Sequence, residues 1–338
     1  MKILVTGATG FIGGHLAIRL LQHGHRVRAL VRRDSNAVEH VRGLGCEIAH
    51  GDLLDEASLR AAIAGTEVVY HLGAALTGTW QHIEAVTVRG TERMLRLSLE
   101  AEVDRFVHIS SLAVYRMADI PENAIIDESR PLEPDPQRVG FYCRSKVEAE
   151  RLVFDYHRRG LPVVVVRPGL VYGPRGNVFW PNIGYLKNRI CILPGSGDAF
   201  LPLTHVDNVV DAILLAGRAA GVVGKAYHIA DGNGMTKTQY LRRYLAATGA
   251  RARVVEMPLP LLSSPAAASE LLAGLGFRVP FPNRYALKSK YRGIRCDTSR
   301  AQWAMGWKPR VSLDEGLERT FAWYNRSRVG RAVAAPAR

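Results

Sequence analysis

Tyr142 and Lys146 stand four residues apart in FYCRSKVEAERLVFDYHRR, and a phenol next to an ammonium is an acid–base device. The helical pattern around them runs to about Arg159, so both side chains project from one face of a helix. An ammonium near a phenol favours the phenolate. Moving a tyrosine from about 10 toward about 7 takes roughly 4 kcal/mol of differential interaction, which would make Tyr142 a proton shuttle at neutral pH. Ser111, emerging from the end of the strand-like run RFVHISS, could hydrogen-bond the same substrate oxygen and orient it. Taken singly, each has an ordinary reading: a helix-surface Tyr–Lys pair, or a serine capping a strand. Their company changes the weight, because the same chain carries TGATGFIG close to its first residue.

In that stretch Gly7, Gly10 and Gly13 follow the strand-like KILVTG and open a helix at Phe11. Strand, glycine turn and helix in that order form a phosphate cradle: glycine permits the tight turn, and backbone N–H groups reach a pyrophosphate at the positive end of the helix. The end of the second strand then selects the dinucleotide, an acid there favouring a ribose 2′-OH and an arginine a 2′-phosphate. The chain has Val31 where the acid would stand, followed by Arg32 and Arg33, which favours NADP(H). Asp34 keeps NAD(H) possible. Beyond the third strand, Asp52 has two readings, an acceptor for the adenine amino group or the N-cap of the helix in DEASLRAAI.

The elements that must hold these residues alternate along the chain. KILVTG, VRALVR, CEIAHGDL, EVVYHLGA, RFVHISS, LPVVVVRP and KAYHIADG read as strands separated by helical patterns. The expected fold class is α/β, a doubly wound parallel Rossmann-type sheet with a smaller C-terminal substrate-binding lobe. In the first helix Ile12, Leu16, Leu20 and Leu21 recur at helical spacing, and Gly24 stands where a C-terminal cap is wanted. Past Val171 the rhythm gives way to Gly- and Pro-rich loops before LTHVDNVVDAILLA returns to strand and helix. The expected division is therefore 1–172 and 203–231 for the dinucleotide, 173–202 and 232–326 for the substrate lobe, and a flexible basic tail over 327–338.

Composition narrows the function classes. The 338 residues carry 45 Lys and Arg against 31 Asp and Glu, a formal charge of +14. The arginines are scattered among apolar helices without a basic run, so an anionic small ligand fits better than nucleic acid. Cys46, Cys143, Cys191 and Cys296 form no CxxC pair, which points to reduced thiols, with neither a metal site nor a disulfide framework. No run of about 18 apolar residues is present to span a bilayer, and a cytoplasmic enzyme with no integral membrane segment is expected.

From TGATGFIG through YHLGAA, HISSLAVY, YCRSK, RPGLVYGP and THVDN to DTSRAQWAMGWKP, the chain resembles the extended short-chain dehydrogenases/reductases, the NAD-dependent epimerase/dehydratase superfamily. The resemblance spans nearly the whole chain. It implies Ser111, Tyr142 and Lys146 as the catalytic residues. It also implies that Thr9, Phe11 and Ile12 of the glycine loop, Leu53, Leu72, Gly73 and Ala74, and Pro168 and Gly169 join Tyr142 and Lys146 at the cofactor. Ser111, Tyr142 and Tyr172 would meet the substrate. A homodimer through TVRGTERMLRLSLEA and the YCRSK helix is likewise implied, and Met94, Leu97, Val153 and Phe154 offer apolar surface on more than one face of those helices.

Departures from the family pattern choose among its branches. Leu112 and Ala113 stand where sugar dehydratases carry an Asp–Glu pair, and Thr87 replaces the usual Asn before VxGT, which weakens a water relay there. Leu170 and Leu201 occupy positions where nucleotide-sugar enzymes place polar anchors, and MPLPLLSSPAAASELLAGLGF suits an apolar lobe as in the 3β-hydroxysteroid dehydrogenase-like branch, or plain core packing. Against this, Arg284, Lys288, Lys290, Arg292 and Arg295 cluster before DTSRA, where a diphosphate could be held. The expected function is an NADP(H)-preferring oxidoreductase interconverting a secondary alcohol and a ketone on a lipophilic or sugar-like compound. The alternative is a nucleotide-sugar 4-epimerase with retained NAD. A dinucleotide sensor without turnover would not need all three of Ser111, Tyr142 and Lys146.

Overall fold

The computed structural model describes residues 1–232, 234–274 and 282–334. Seven strands form one parallel sheet: β1 (Lys2–Thr6), β2 (Arg26–Val31), β3 (Glu47–His50), β4 (Val68–His71), β5 (Arg105–Ile109), β6 (Val163–Pro168) and β7 (Lys225–Ile229). Their order across the sheet is β7-β6-β5-β4-β1-β2-β3. Thr6 lies level with Leu30 on one side and His71 on the other, and His71 is level with His108. The carboxyl ends of the central strands therefore share one edge, and the strand order reverses between β1 and β4. A crevice opens at such a switch point, which is where open α/β sheets take ligands.

The strands are apolar on both faces because both faces are covered. Ile3 and Val5 of β1 point into one core with Val164 and Val166 of β6, while Leu4 points into the other with Val163 and Val165. Helices α1 (Phe11–Gln22) and α4 (Val206–Arg218) close the first face, tied by a 3.0 Å hydrogen bond from Arg19 to Asp211. Helices α2 (Gly90–Glu100) and α3 (Phe141–Arg158) close the second. A π-helix over Glu84–Arg89 leads directly into α2. The expected doubly wound sheet is thus present, with all seven strands where the alternation placed them.

A second core gathers Tyr172, Ile183, Leu193, Leu201, Tyr240 and Phe321. It carries a three-stranded sheet of Tyr185–Lys187, Ile190–Pro194 and Arg253–Met257. Helix α5 (Leu259–Gly274) holds most of the apolar segment read from the sequence, whose last residues, 275–277, lie outside the described ones. Helix α6 (Arg284–Tyr291) follows. The expected flexible tail begins inside the final helix, α7 (Leu313–Ala334), and 335–338 lie outside the described residues.

One sequence argument is corrected here. Met94, Leu97 and Val153, counted as surplus apolar surface for a partner, are fully buried in the chain's own core between α2, α3 and the sheet, and Phe154 is half-buried against the same core. All four cysteines are free thiols. No described helix is long and apolar enough to cross a membrane, and no described group of three His, Cys, Asp or Glu could hold a metal ion.

Candidate active site

At the carboxyl end of β1 the chain turns through Gly7, whose φ of +72° lies in the left-handed region that glycine adopts without strain. Helix α1 then packs hard on this turn. A Cβ on Gly13 would stand 2.1 Å from the Gly7 carbonyl oxygen, so only glycine allows the approach. Gly10 is the N-cap, no side chain caps the helix, and its first turn carries no acid, which leaves N–H groups free for an anion. The cradle fits the pyrophosphate of a dinucleotide.

The opposite wall is tied to the cradle by hydrogen bonds. Thr6 Oγ1 accepts from the N–H of Leu72 at 3.2 Å and of Gly73 at 2.9 Å. Its proton therefore goes to His71 Nδ1, 2.8 Å away, and His71 Nε2 donates to Thr91 Oγ1 at 2.9 Å. Burial pushes His71 down to about 3, so it stays neutral in this role. Thr87 Oγ1 meanwhile takes the N–H of Ala75 at 2.9 Å, which fixes the same loop two residues further on.

These walls enclose a cleft of about 1590 Å³, larger than the 300–1,000 Å³ of common small-ligand pockets and sufficient for a dinucleotide with a substrate beside it. Every residue expected at the cofactor lines it except Arg33. Arg32 faces the cleft just after β2, whereas Arg33, in the turn that follows, is exposed to solvent and does not line it. Arg32 is 64% exposed and 3.9 Å from the Asp34 carboxylate, a weak surface pair that leaves the guanidinium available. Asp34 itself does not line the cleft. Of the two readings of Asp52, the capping one passes to Asp55, which accepts from Ala57 N–H at 3.1 Å, while Asp52 accepts from Leu54 N–H at 2.9 Å and faces the cleft.

Ser111, Tyr142 and Lys146 all line the cleft beside the cradle. Ser111 leaves the end of β5; its Oγ accepts the Ala113 N–H at 3.2 Å, and its hydroxyl is directed at the Tyr142 phenol. Lys146 is buried and donates from Nζ to the Ile109 carbonyl at 2.9 Å. Burial pushes its ammonium down to about 8, opposed by the Glu150 carboxylate one turn further along α3. Glu150 is fully buried and held by Arg167, whose Nε donates to Oε2 at 3.1 Å. The Tyr142 phenol is pushed up by desolvation of its hydroxyl inside the cleft, although the residue as a whole is 40% exposed, and the opposing hydrogen bond comes from Ser111. The Lys146 charge is directed at Ile109 instead, and Tyr142 is a protonated acid at neutral pH.

Other expectations fall elsewhere. Tyr172 does not line the cleft; it is fully buried in the second core with its ring against His205, 5.4 Å between centroids, so it cannot touch substrate. Leu201 is buried in the same core and says nothing about a diphosphate, whereas Leu170, Leu112 and Ala113 do face the cleft. Of the basic cluster, Lys290 and Arg292 line the cleft; Arg284, Lys288 and Arg295 do not. Glu150 and Thr6 join the site through signals present in the sequence: Glu150 stands at helical spacing after Lys146, and Thr6 directly precedes the first glycine. Trp180, in an irregular loop, and Tyr185, at the start of a three-residue strand, also line the cleft, and neither segment is long enough for its spacing to carry a signal.

Among curated relatives, the chain is 30% identical over 328 residues to the 4-hydroxy-2-methyl-3-oxo-4-farnesyl-3,4-dihydroquinoline-1-oxide ketoreductase of Stigmatella aurantiaca, with 94% of this chain and 95% of that protein covered. It is 28% identical over 347 residues to a 3 beta-hydroxysteroid dehydrogenase/Delta 5-->4-isomerase of Mycobacterium tuberculosis, covering 96% and 90%. Among solved structures, gox2253 superposes with a TM-score of 0.81 at 27% identity, covering 96% of this chain and 98% of that one. The model of the NAD dependent epimerase/dehydratase family matches residues 3–230, and the chain belongs to that family, enzymes of the extended short-chain dehydrogenase/reductase type.

Proposed function

We propose that this enzyme is an NADP(H)-preferring oxidoreductase interconverting a secondary alcohol and a ketone, with Ser111, Tyr142 and Lys146 as its acid–base residues and a lipophilic or sugar-like hydroxy compound as substrate. The observation that carries the reading is the convergence of these three side chains on one cleft continuous with the glycine cradle. In this reading 1–172 and 203–231 hold the dinucleotide, 173–202 and 232–326 the substrate. Arg32 at the end of β2 supports the 2′-phosphate, and the mainly aliphatic wall formed by Leu112, Leu170 and Val139 supports a lipophilic substrate. The named activities of the Stigmatella and Mycobacterium relatives agree with it.

A bound nicotinamide dinucleotide supplies the hydride donor or acceptor. The chain's own residues handle the oxygen. Tyr142, protonated at neutral pH, donates its proton to the carbonyl oxygen during reduction, and the Ser111 hydroxyl turns from the phenol to hold the same oxygen in place. Lys146, charged below about 8, adds positive potential at the base of the cleft, and the Glu150 carboxylate opposes the loss of that charge to burial. In oxidation the same groups run in reverse.

Incubating the enzyme with lipophilic ketones and NADPH or NADH tests the proposal: net loss of the reduced cofactor, faster with NADPH, is expected. A second reading, a nucleotide-sugar 4-epimerase with tightly retained NAD, is favoured by Lys290 and Arg292 in the cleft. Isomerised UDP-sugar without net cofactor change would replace the first reading by the second. The homodimer belongs to this proposal through family resemblance alone, and light scattering showing only a 37.2 kDa particle would remove it.

A further inference from the structure

The three-stranded sheet of the smaller lobe leaves one of its faces open to solvent. Leu186, Cys191 and Leu193 point from it into the second core, and the pleat sends their neighbours the other way. The register sets those neighbours in rows: Lys187, Ile190 and Arg253 form one, Tyr185, Ile192 and Val255 the next. Ile190 is 48% exposed, Ile192 38% and Tyr185 52%. Large apolar side chains gathered on one face and rimmed by charge mark an interaction surface, where single exposed ones would not.

The two ends of this face differ. At one end Asn188 and Arg189, with φ of +48° and +63°, turn the chain back on itself between Lys187 and Ile190. Arg251 and Arg253 enter the adjacent strand beside that turn, and the Arg253 N–H donates to the Arg189 carbonyl at 2.8 Å. Lys187, Arg189, Arg251 and Arg253 are all exposed, and none has an ion pair or a side-chain hydrogen bond among the described residues. No carboxylate belongs to the face: Glu256 alternates to the opposite side, where it accepts the Gly197 N–H at 3.0 Å. At the other end Tyr185 lines the cleft, with its hydroxyl 2.9 Å from that of Tyr291 in α6. The face therefore runs from four unpaired cations, across isoleucines, to the rim of the active-site cleft.

An occupant must take the apolar side chains and the cations together. A second copy of the chain would bring four more cations and no carboxylate, so charges would lose water without gaining counterions. An anionic lipid surface supplies both needs, phosphates for the lysine and arginines and acyl chains for the isoleucines and Tyr185, and the +14 charge of the whole chain draws it in. We propose that this face docks peripherally on an anionic bilayer, with Lys187, Arg189, Arg251 and Arg253 at the headgroups and Ile190 and Ile192 just beneath them. The rim of the cleft at Tyr185 is then held at the membrane surface. This attachment goes beyond the oxidoreductase reading and does not depend on it.

Sedimentation of the full-length enzyme with vesicles, in the absence of substrate and cofactor, tests the surface apart from any turnover. Binding is expected to vesicles of phosphatidylcholine with phosphatidylglycerol, to be weakened by salt, and to be slight with phosphatidylcholine alone. Each cation near an anionic surface is worth about fivefold in partitioning, so Lys187→Gln with Arg253→Gln should weaken binding about 25-fold. Ile190→Thr with Ile192→Thr, which keeps the β-branching of the strand, should weaken it about 10-fold. Lys225→Gln removes a cation from the amino end of β7 and should change binding less than about twofold. The charge pair and the apolar pair are separate variants, so a folding defect in one leaves the other to decide, with melting temperature as the check. Failure to sediment with the anionic vesicles overturns the proposal. So does equal weakening by Lys225→Gln, which would reduce the attraction to net charge, and so does equal binding to both kinds of vesicle. Self-association abolished by the isoleucine variants, without vesicle binding, assigns the face to a second copy and overturns it as well.

Discussion

Replacing Lys146 by methionine should make the protein more stable at neutral pH while disabling it. The ammonium of Lys146 is displaced from its ordinary 10.5 to about 8 by burial. That displacement means the charged form costs the fold roughly 3 kcal/mol at pH 7. Methionine fills the same space without charge, and Glu150 keeps Arg167 as its partner. The Ile109 carbonyl loses its donor, a loss of about 1–3 kcal/mol, so the net gain is about 0–2 kcal/mol. The sign of the pH dependence follows from proton counting. Between about 8 and 10.5 the unfolded chain binds the proton that the native lysine has released, so wild-type stability rises through that window and the advantage of Lys146→Met shrinks. Urea unfolding of both proteins without cofactor, in steps from pH 7 to 10.5, measures this, and turnover of the variant should fall by at least about 10²-fold. A Lys146→Met protein less stable than wild type at pH 7, or a stability difference that stays flat across the window, would show that the ammonium is not buried at a cost and refute the reasoning.

Tyr142→Phe should fold and bind dinucleotide normally but lose about 10²- to 10⁴-fold in turnover, as steady-state rates on any accepted ketone will show. Arg32→Ala should weaken NADPH by roughly 10- to 150-fold with little change for NADH, and Arg33→Ala should change neither by more than about twofold, in fluorescence titrations of both cofactors. Gly13→Ala places a Cβ 2.1 Å from the Gly7 carbonyl oxygen, so it should abolish measurable dinucleotide binding by calorimetry while the far-ultraviolet circular dichroism of the sheet and helices persists.

The legible part of this protein is what local physics enforces. Alternating β-branched runs and helical patterns specify a doubly wound sheet because strands buried on both faces have no other composition, and β6, all six residues buried, is the plain case. The glycine loop was readable because only glycine satisfies the φ of Gly7 and the approach at Gly13. The Tyr142–Lys146 pair was readable because helical spacing puts both on one face.

What the tertiary structure decided is what those side chains meet. Tyr172 carries the same kind of residue as Tyr142, yet packing sends one into a core and the other into the cleft, and no local pattern distinguishes them. Nor does the spacing of Lys146 tell that its ammonium points at the Ile109 carbonyl. Met94, Leu97 and Val153 looked like surplus until the sheet beneath them consumed their surface. In the cluster before DTSRA, five basic residues are equivalent along the chain, and only the fold turns Lys290 and Arg292 inward. Backbone preference and periodicity are local and survive in a string of letters, whereas desolvation, partner choice and charge balance depend on distances between residues far apart in it.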